Sequence, residues 1–365
     1  MPPLFEVKPV DRDFYQKHLE GFLPSKLIDI HTHVWLDKFQ SKETEELPRA
    51  VTWPQQVALD DSIEDLQETY RLMFPGRTAL PLIFGMALSL KDDLDAGNEY
   101  VRQCAEKCRV PALIFADPNW SEFELEERIT VGHFLGAKVY LTRSDPRIAE
   151  SDIQIHDFLP SHQLQVLDKH GWILMLHIPR PQRLRDPSNL SQMIEIEKRY
   201  PNVKVIIAHV GRAYCPEDVG NAFEALGETR KMCFDISANT SAENFELLIR
   251  AVGPRRILFG SDLPITRMRM RRVCERGRYI NVAPKGLYQG VSNDPHMREV
   301  EGKDATRLTF FMYEEIDALR RAALAAGLKS DDIYDIFYRN SAEMLCDAGM
   351  PASYFDNQGG KCEPA

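Results

Sequence analysis

Short apolar runs recur along the chain, each separated from the next by a longer segment whose apolar positions repeat at helical spacing. The runs lie at 27–31, 79–87, 110–117, 136–141, 172–177, 203–209, 232–236 and 256–260. Their length and turn-rich flanks read as buried strands. Helices are predicted between them at 63–73, 94–109, 122–134, 156–170, 189–200, 216–228 and 242–252. The helix punctuation agrees. Asp60-Asp61-Ser62 offers a cap before 63, Gly171 and Pro201 close two segments, and Pro216 suits a first turn. Eight strands alternating with helices predict an α/β fold with a parallel sheet, and eight repeats point to a closed (β/α)8 TIM barrel.

Two stretches break the alternation. The polar segment 36–61 follows the first strand. A long stretch at 263–307 lacks any clear period and predicts an insertion after strand eight, serving as a lid or binding loop. Extra C-terminal helices follow at 308–326 and 331–348, and the tail from Asn357 is expected to fray. With no low-complexity linker, one barrel domain is expected over residues 1–365.

Composition narrows the function. Hydrophobic residues make up 44% and charged residues 27%, an ordinary globular balance, and a net charge of −10 argues against nucleic acid or an anionic membrane as partner. No apolar run approaches the length of a membrane span, and the start, Met1 to Lys8, has no signal-peptide core. Seven scattered cysteines, an odd number, read as reduced thiols in a cytoplasmic protein. Cys104 and Cys108 lie one helical turn apart, but no second pair follows to complete a zinc cage.

The chemistry lies at the strand ends. His31 and His33, spaced i, i+2, share one side of a strand. His177, His209 and Asp262 close the fifth, sixth and eighth strands. The C-terminal ends of barrel strands converge on one mouth, so these five side chains predict a metal centre there. The other histidines fall on helices or loops. Imidazole and carboxylate suit one divalent ion, Zn2+ first, with Mn2+ and Fe2+ as alternatives.

Ile28-Asp29-Ile30-His31-Thr32-His33, Leu176-His177, Ile207-Ala208-His209-Val210-Gly211, Phe259-Gly260-Ser261-Asp262-Leu263-Pro264 and Arg339-Asn340-Ser341-Ala342-Glu343-Met344-Leu345 carry a family resemblance. Over 27–346, in order, the sequence resembles the amidohydrolase superfamily. The likeness is to the amidohydrolase-related group that includes aminocarboxymuconate-semialdehyde decarboxylase. The resemblance implies a divalent metal held by His31, His33, His177 and Asp262, with His209 as a catalytic histidine beside a metal-activated water. Asp262 would also serve catalysis by taking that water's proton. In some branches a lysine ending the fourth strand is carbamylated between two metals. Lys138 stops three residues short of that end and is read as a substrate contact in the barrel wall, leaving one metal.

Substrate contacts are also expected from Arg180 and Arg212, each three residues past a site histidine, and from Trp35 as an apolar wall. Six arginines crowd residues 267–278, beginning at Arg267, and suggest an anion-binding lid. The leading expectation is a metal-dependent hydrolase cleaving a C–O or C–N bond (lactone, ester or amide) of a small carboxylated compound. A non-oxidative decarboxylase or hydratase is the alternative on the same metal site. A non-catalytic binding barrel is disfavoured because all five site residues are present. The partner is a small anionic molecule, and the resemblance admits a homodimer with 263–307 as its interface.

Overall fold

The computed structural model describes residues 3–42, 56–288 and 294–356. Eight parallel strands form a (β/α)8 barrel: β1 Lys26–His33, β2 Thr78–Phe84, β3 Ile114–Phe115, β4 Gly136–Val139, β5 Ile173–Leu176, β6 Lys204–Ile207, β7 Cys233–Asp235 and β8 Ile257–Leu258. β1 pairs with β2, and β3 to β8 form one continuous sheet. Two seams close the ring. The Ile83–Ala112 bridge joins β2 to β3, and main-chain bonds from Ile30 to Phe259, Asp262 to His31 and His33 to Leu263 join β1 to β8.

Side chains alternate across this wall. Ile28, Ile30, Leu80, Leu82, Leu113, Ile173, Met175, Ile206 and Leu258 fill the barrel interior, where Leu345 of the C-terminal helix also packs. Their neighbours Leu27, Ile83, Ala137, Leu174, Val205 and Phe234 face the helices. The helices start where the sequence offers caps: Ser62, Asp93, Ser121, Asp186 and Ser241 each accept a backbone N–H at a helix start.

Several expectations need correction. The helix expected at 156–170 begins at Ser161: Ile155–Asp157 form a separate 3-10 turn, and Pro160, itself extended, caps the helix start. That expected at 216–228 is a short turn, Pro216–Asp218, followed by the helix Ala222–Gly227. An N-terminal helix, Pro9–Phe14, continuing as a wide turn through Leu19, was not anticipated. The insertion is not irregular. It folds as a three-stranded sheet of β9 Arg271–Glu275, β10 Arg278–Pro284 and β11 Met297–Val300. The β9–β10 hairpin turns on Arg276 (φ 52°) and Gly277 (φ 73°), a left-handed pair suited to a tight hairpin but not announced by an Asn-Gly or Asp-Gly dipeptide.

The reading of every cysteine as a reduced thiol is also corrected. Cys215 and Cys274 form a disulfide, which removes the ground for a cytoplasmic assignment. Cys104, Cys233 and Cys346 are free. Among the described residues no helix is long and apolar enough to cross a membrane. The expected fraying from Asn357 lies outside the described residues, as does much of the polar stretch 36–61.

Candidate functional site

The site begins with an irregularity in β1. Ile28 and Ile30 point into the barrel, so strict alternation would send Thr32 inward next. The register against β2 shifts between Asp29 and Thr32, and His31 and His33 line the mouth instead. Thr32 turns to the wall, its hydroxyl donating to Leu82 O at 3.0 Å. β1 and β8 approach closely here. A Cβ on Gly260 would meet the His31 Cβ at 2.8 Å, so only glycine leaves that histidine in place.

Each imidazole is fixed from behind. His33 Nδ1 lies 3.1 Å from Gly85 O and His209 Nδ1 3.0 Å from Ser237 O; a carbonyl only accepts, so these nitrogens carry the protons. His31 Nδ1 lies 2.9 Å from the buried carboxylate of Asp235. Asp235 also accepts the His209 and Ser237 backbone N–H groups at 2.9 and 3.1 Å. Burial opposes its charge, but the hydrogen bonds from His31 and Ser237 hold its carboxyl below the ordinary range. The opposite nitrogens are therefore left with lone pairs. His33 Nε2 stands 3.2 Å, and His31 Nε2 3.5 Å, from Asp262 Oδ1.

Three acceptors thus face one another, and His31 Nε2 is buried with no hydrogen-bond partner among the described residues. A proton can satisfy one of these pairs, whereas a cation satisfies all three. The ligand atoms of His31, His33 and Asp262 lie within 4.8 Å of one another, so the donor set fits a divalent ion. His177 shares the cavity, its ring 5.3 Å from that of His209, but falls outside this trio. Its Nδ1 is likewise buried and unpartnered among the described residues. Burial lowers all three of His31, His177 and His209 below the ordinary histidine range, His31 to about 3, with Lys138 adding to the effect in each. Asp262 and His209 hold left-handed backbone conformations (φ 58° and 56°), unusual for such residues and common where a side chain must be aimed.

These residues open onto a cavity of about 150 Å³. Lys138 points inward from β4, fully buried, its ammonium 5.0 Å from the Phe84 ring centroid. Burial pulls its pKa down to about 8, against the pull of Asp235 and Asp262. Arg212 also lines the cavity, anchored on the carbonyls of Ile178 and Pro179. Three other expected contacts lie elsewhere. Arg180 pairs with Asp186 at 3.1 Å. Arg267 is buried 3.9 Å from Asp61 and donates to Val57 O. Trp35 donates its indole N–H to Leu59 O and does not line this cavity. In their place the hairpin supplies Arg272 and Tyr279, and the loop after β6 supplies Tyr214. Asp235 is not among the expected site residues, yet it ends β7 much as Asp262 follows β8; an acidic residue closing a strand is the signal that marks it.

A family model described as Amidohydrolase matches residues 28–345. The chain belongs to the amidohydrolase family. The match spans all eight barrel strands except the first two residues of β1, and bears out the resemblance seen in the sequence. Among solved structures this amidohydrolase is similar to a probable 2-pyrone-4,6-dicarboxylic acid hydrolase from Acinetobacter baumannii with citric acid bound (14% identity, 88% of this chain and 99% of that chain covered, TM-score 0.53). It is also similar to 5-carboxyvanillate decarboxylase from Sphingomonas paucimobilis (14%, 88% and 99%, TM-score 0.52). A third is 4-oxalomesaconate hydratase from Rhodopseudomonas palustris (16%, 91% and 100%, TM-score 0.53). At such identities the likeness is one of fold. No curated protein matches the sequence.

Proposed function

We propose that this amidohydrolase is a metal-dependent hydrolase that opens a C–O or C–N bond (lactone, ester or amide) in a small carboxylated compound. The observation that carries the reading is the set of converging lone pairs on His31, His33 and Asp262 at the mouth of the barrel. His31, His33 and Asp262 would hold the ion, with His177 completing the set from across the cavity. Zn2+ is the first choice for these donors, with Mn2+ and Fe2+ as alternatives. Such an ion supplies Lewis acidity, acidifying water and polarising a carbonyl.

The remaining work falls to the chain's own groups. Asp235 keeps His31 in the tautomer that presents Nε2. His209, its Nδ1 proton committed to Ser237 O, presents Nε2 as the base or as the group that steadies a carbonyl oxygen once protonated. Asp262 can take the nucleophile's proton and pass it to the leaving atom. Lys138 and Arg212 would hold the substrate carboxylate, and the β9–β11 insertion would cover it, excluding water.

A lyase acting on an unsaturated or aromatic acid would use the same residues, and the amidohydrolase-like structures named above include a decarboxylase and a hydratase. A panel of lactones, esters, amides and unsaturated acids separates the two, with acid release and carbon dioxide followed in parallel. Acid release without carbon dioxide is expected, and Asp262→Asn should lower kcat by about 10³-fold while the protein stays folded. Carbon dioxide release, or hydration of a double bond, would replace the hydrolase reading by the lyase one. A folded protein that binds no metal would sink both.

A further inference from the structure

The six arginines of 267–278 do not act as a group. Arg269 is spent on a bidentate pair with Asp11, both bonds 2.7 Å, and Arg271 lies 2.8 Å from Glu314. Arg267 sits beside Asp61, and Arg276 and Arg278 are exposed. Arg272 is the exception. It is buried, it lines the cavity, and no carboxylate lies within ion-pair distance of it among the described residues. Its Nε donates to Asn281 Oδ1 at 2.8 Å and its Nη1 to Ala238 O, while its guanidinium carbon lies 4.2 Å from the Tyr214 ring centroid and 4.8 Å from those of Tyr279 and Phe311.

A buried charge without a counter-ion is expensive, and stacking on aromatic rings returns only part of that cost. Two bonds fix the fork and leave the Nη2 edge without a hydrogen bond among the described residues. Lys138 and Arg212 also make no ion pair among the described residues, so three cations border one cavity. One substrate carboxylate can occupy Lys138 and Arg212 near the metal ligands. Arg272, brought in by a separate element, keeps its Nη2 edge open on the cavity, where a second anionic group can meet it.

We propose that Arg272 is a specificity-determining residue that grips a second carboxylate of the substrate, so that the enzyme selects small dicarboxylates over monocarboxylates. This rests on the metal-dependent reading above and adds to it the class of substrate. The guanidinium is planar, preformed by its stack and able to meet a carboxylate side-on.

The test measures binding of benzoate and of the three benzenedicarboxylates, which span different carboxylate spacings, to the zinc-loaded full-length protein by calorimetry. At least one dicarboxylate should bind tenfold or more tighter than benzoate. Arg272→Met should cut that ratio to twofold or less and leave benzoate affinity within twofold. If Arg272→Met does not fold, Arg272→Lys decides. Lysine keeps the charge but loses the fork and the stack, and the ratio should fall threefold or more. A ratio unchanged in the folded variant, or no dicarboxylate preference in the wild type, overturns the assignment. Metal binding with no such preference overturns this inference alone; failure to bind metal overturns the functional reading as well.

Discussion

Glu315 lies behind the site on the helix Phe311–Ala326, fully buried. Its Oε2 accepts the backbone N–H of Ala238 at 2.7 Å, and its Oε1 has no partner among the described residues. Ala238 borders the cavity in a left-handed conformation (φ 48°) and gives its carbonyl to Arg272, so Glu315 props the point where hairpin and barrel meet. Burial drives its pKa well above the ordinary value, and Asp29, Asp235 and Asp262 push the same way against the Ala238 bond. The folded protein then binds a proton that the unfolded chain releases above about pH 4.3. Stability therefore falls as pH rises from there towards the folded value, by about 1.4 kcal/mol for each pH unit crossed. Glu315→Gln keeps the acceptor for Ala238 and removes the titration. Denaturant unfolding followed upward from pH 4.5 should show the variant gaining on the wild type as the pH rises towards the folded value. Parallel stability curves would contradict this account of Glu315.

At the scale of elements, the β9–β10 hairpin depends on more than its own hydrogen bonds. Cys274 on β9 is exposed, and its disulfide ties the hairpin to Cys215, next to the cavity residue Tyr214. The bond joins positions 59 residues apart, for which chain entropy predicts about 4 kcal/mol of stabilisation. Reduction, or Cys274→Ser, should raise amide exchange across 271–284 while β4 to β6 stay protected. Uniform exchange in both forms would show the staple to be dispensable. The same hairpin marks the boundary of what the sequence reveals. His31, His177, His209 and Asp262 were legible because strand alternation and barrel topology dictate where they end up. Arg180 lies off the cavity because spacing from a ligand does not determine direction once the backbone leaves the strand, and Arg267 because a cluster of arginines does not say which of them an internal carboxylate already holds. That Arg272, Tyr214 and Tyr279 line the cavity is not legible in the sequence, since their positions depend on a hairpin with an unusual Arg-Gly turn and on pairing between distant cysteines.

At the scale of the whole molecule, the candidate ligands straddle the closure of the barrel. His31 and His33 belong to β1 and Asp262 to the end of β8, and the Asp262 N–H donates to His31 O at 2.8 Å across the seam. β1 pairs with β8 by a few main-chain bonds and an isolated bridge, Thr32–Leu263, rather than a full ladder. In the metal-free protein this seam brings the lone pairs of two imidazoles up to a carboxylate, which works against closure. An ion held there would relieve that repulsion and join the first strand to the last. Binding to the native state alone stabilises by about 2.7 kcal/mol when free metal exceeds Kd a hundredfold. For a chain of 365 residues, with roughly 2.1 cal/mol/K per residue of unfolding entropy, that amounts to a rise of a few degrees in Tm. Chelation should therefore lower Tm by that amount, and added Zn2+ should restore it in a concentration-dependent way. Amide exchange should rise most at β1 and β8, where the seam opens. Asp262→Asn, with its charge removed, should resemble the chelated wild type and respond little to Zn2+. A Tm indifferent to chelator in the wild type would separate the cluster from the barrel's closure and leave its converging lone pairs without a cation.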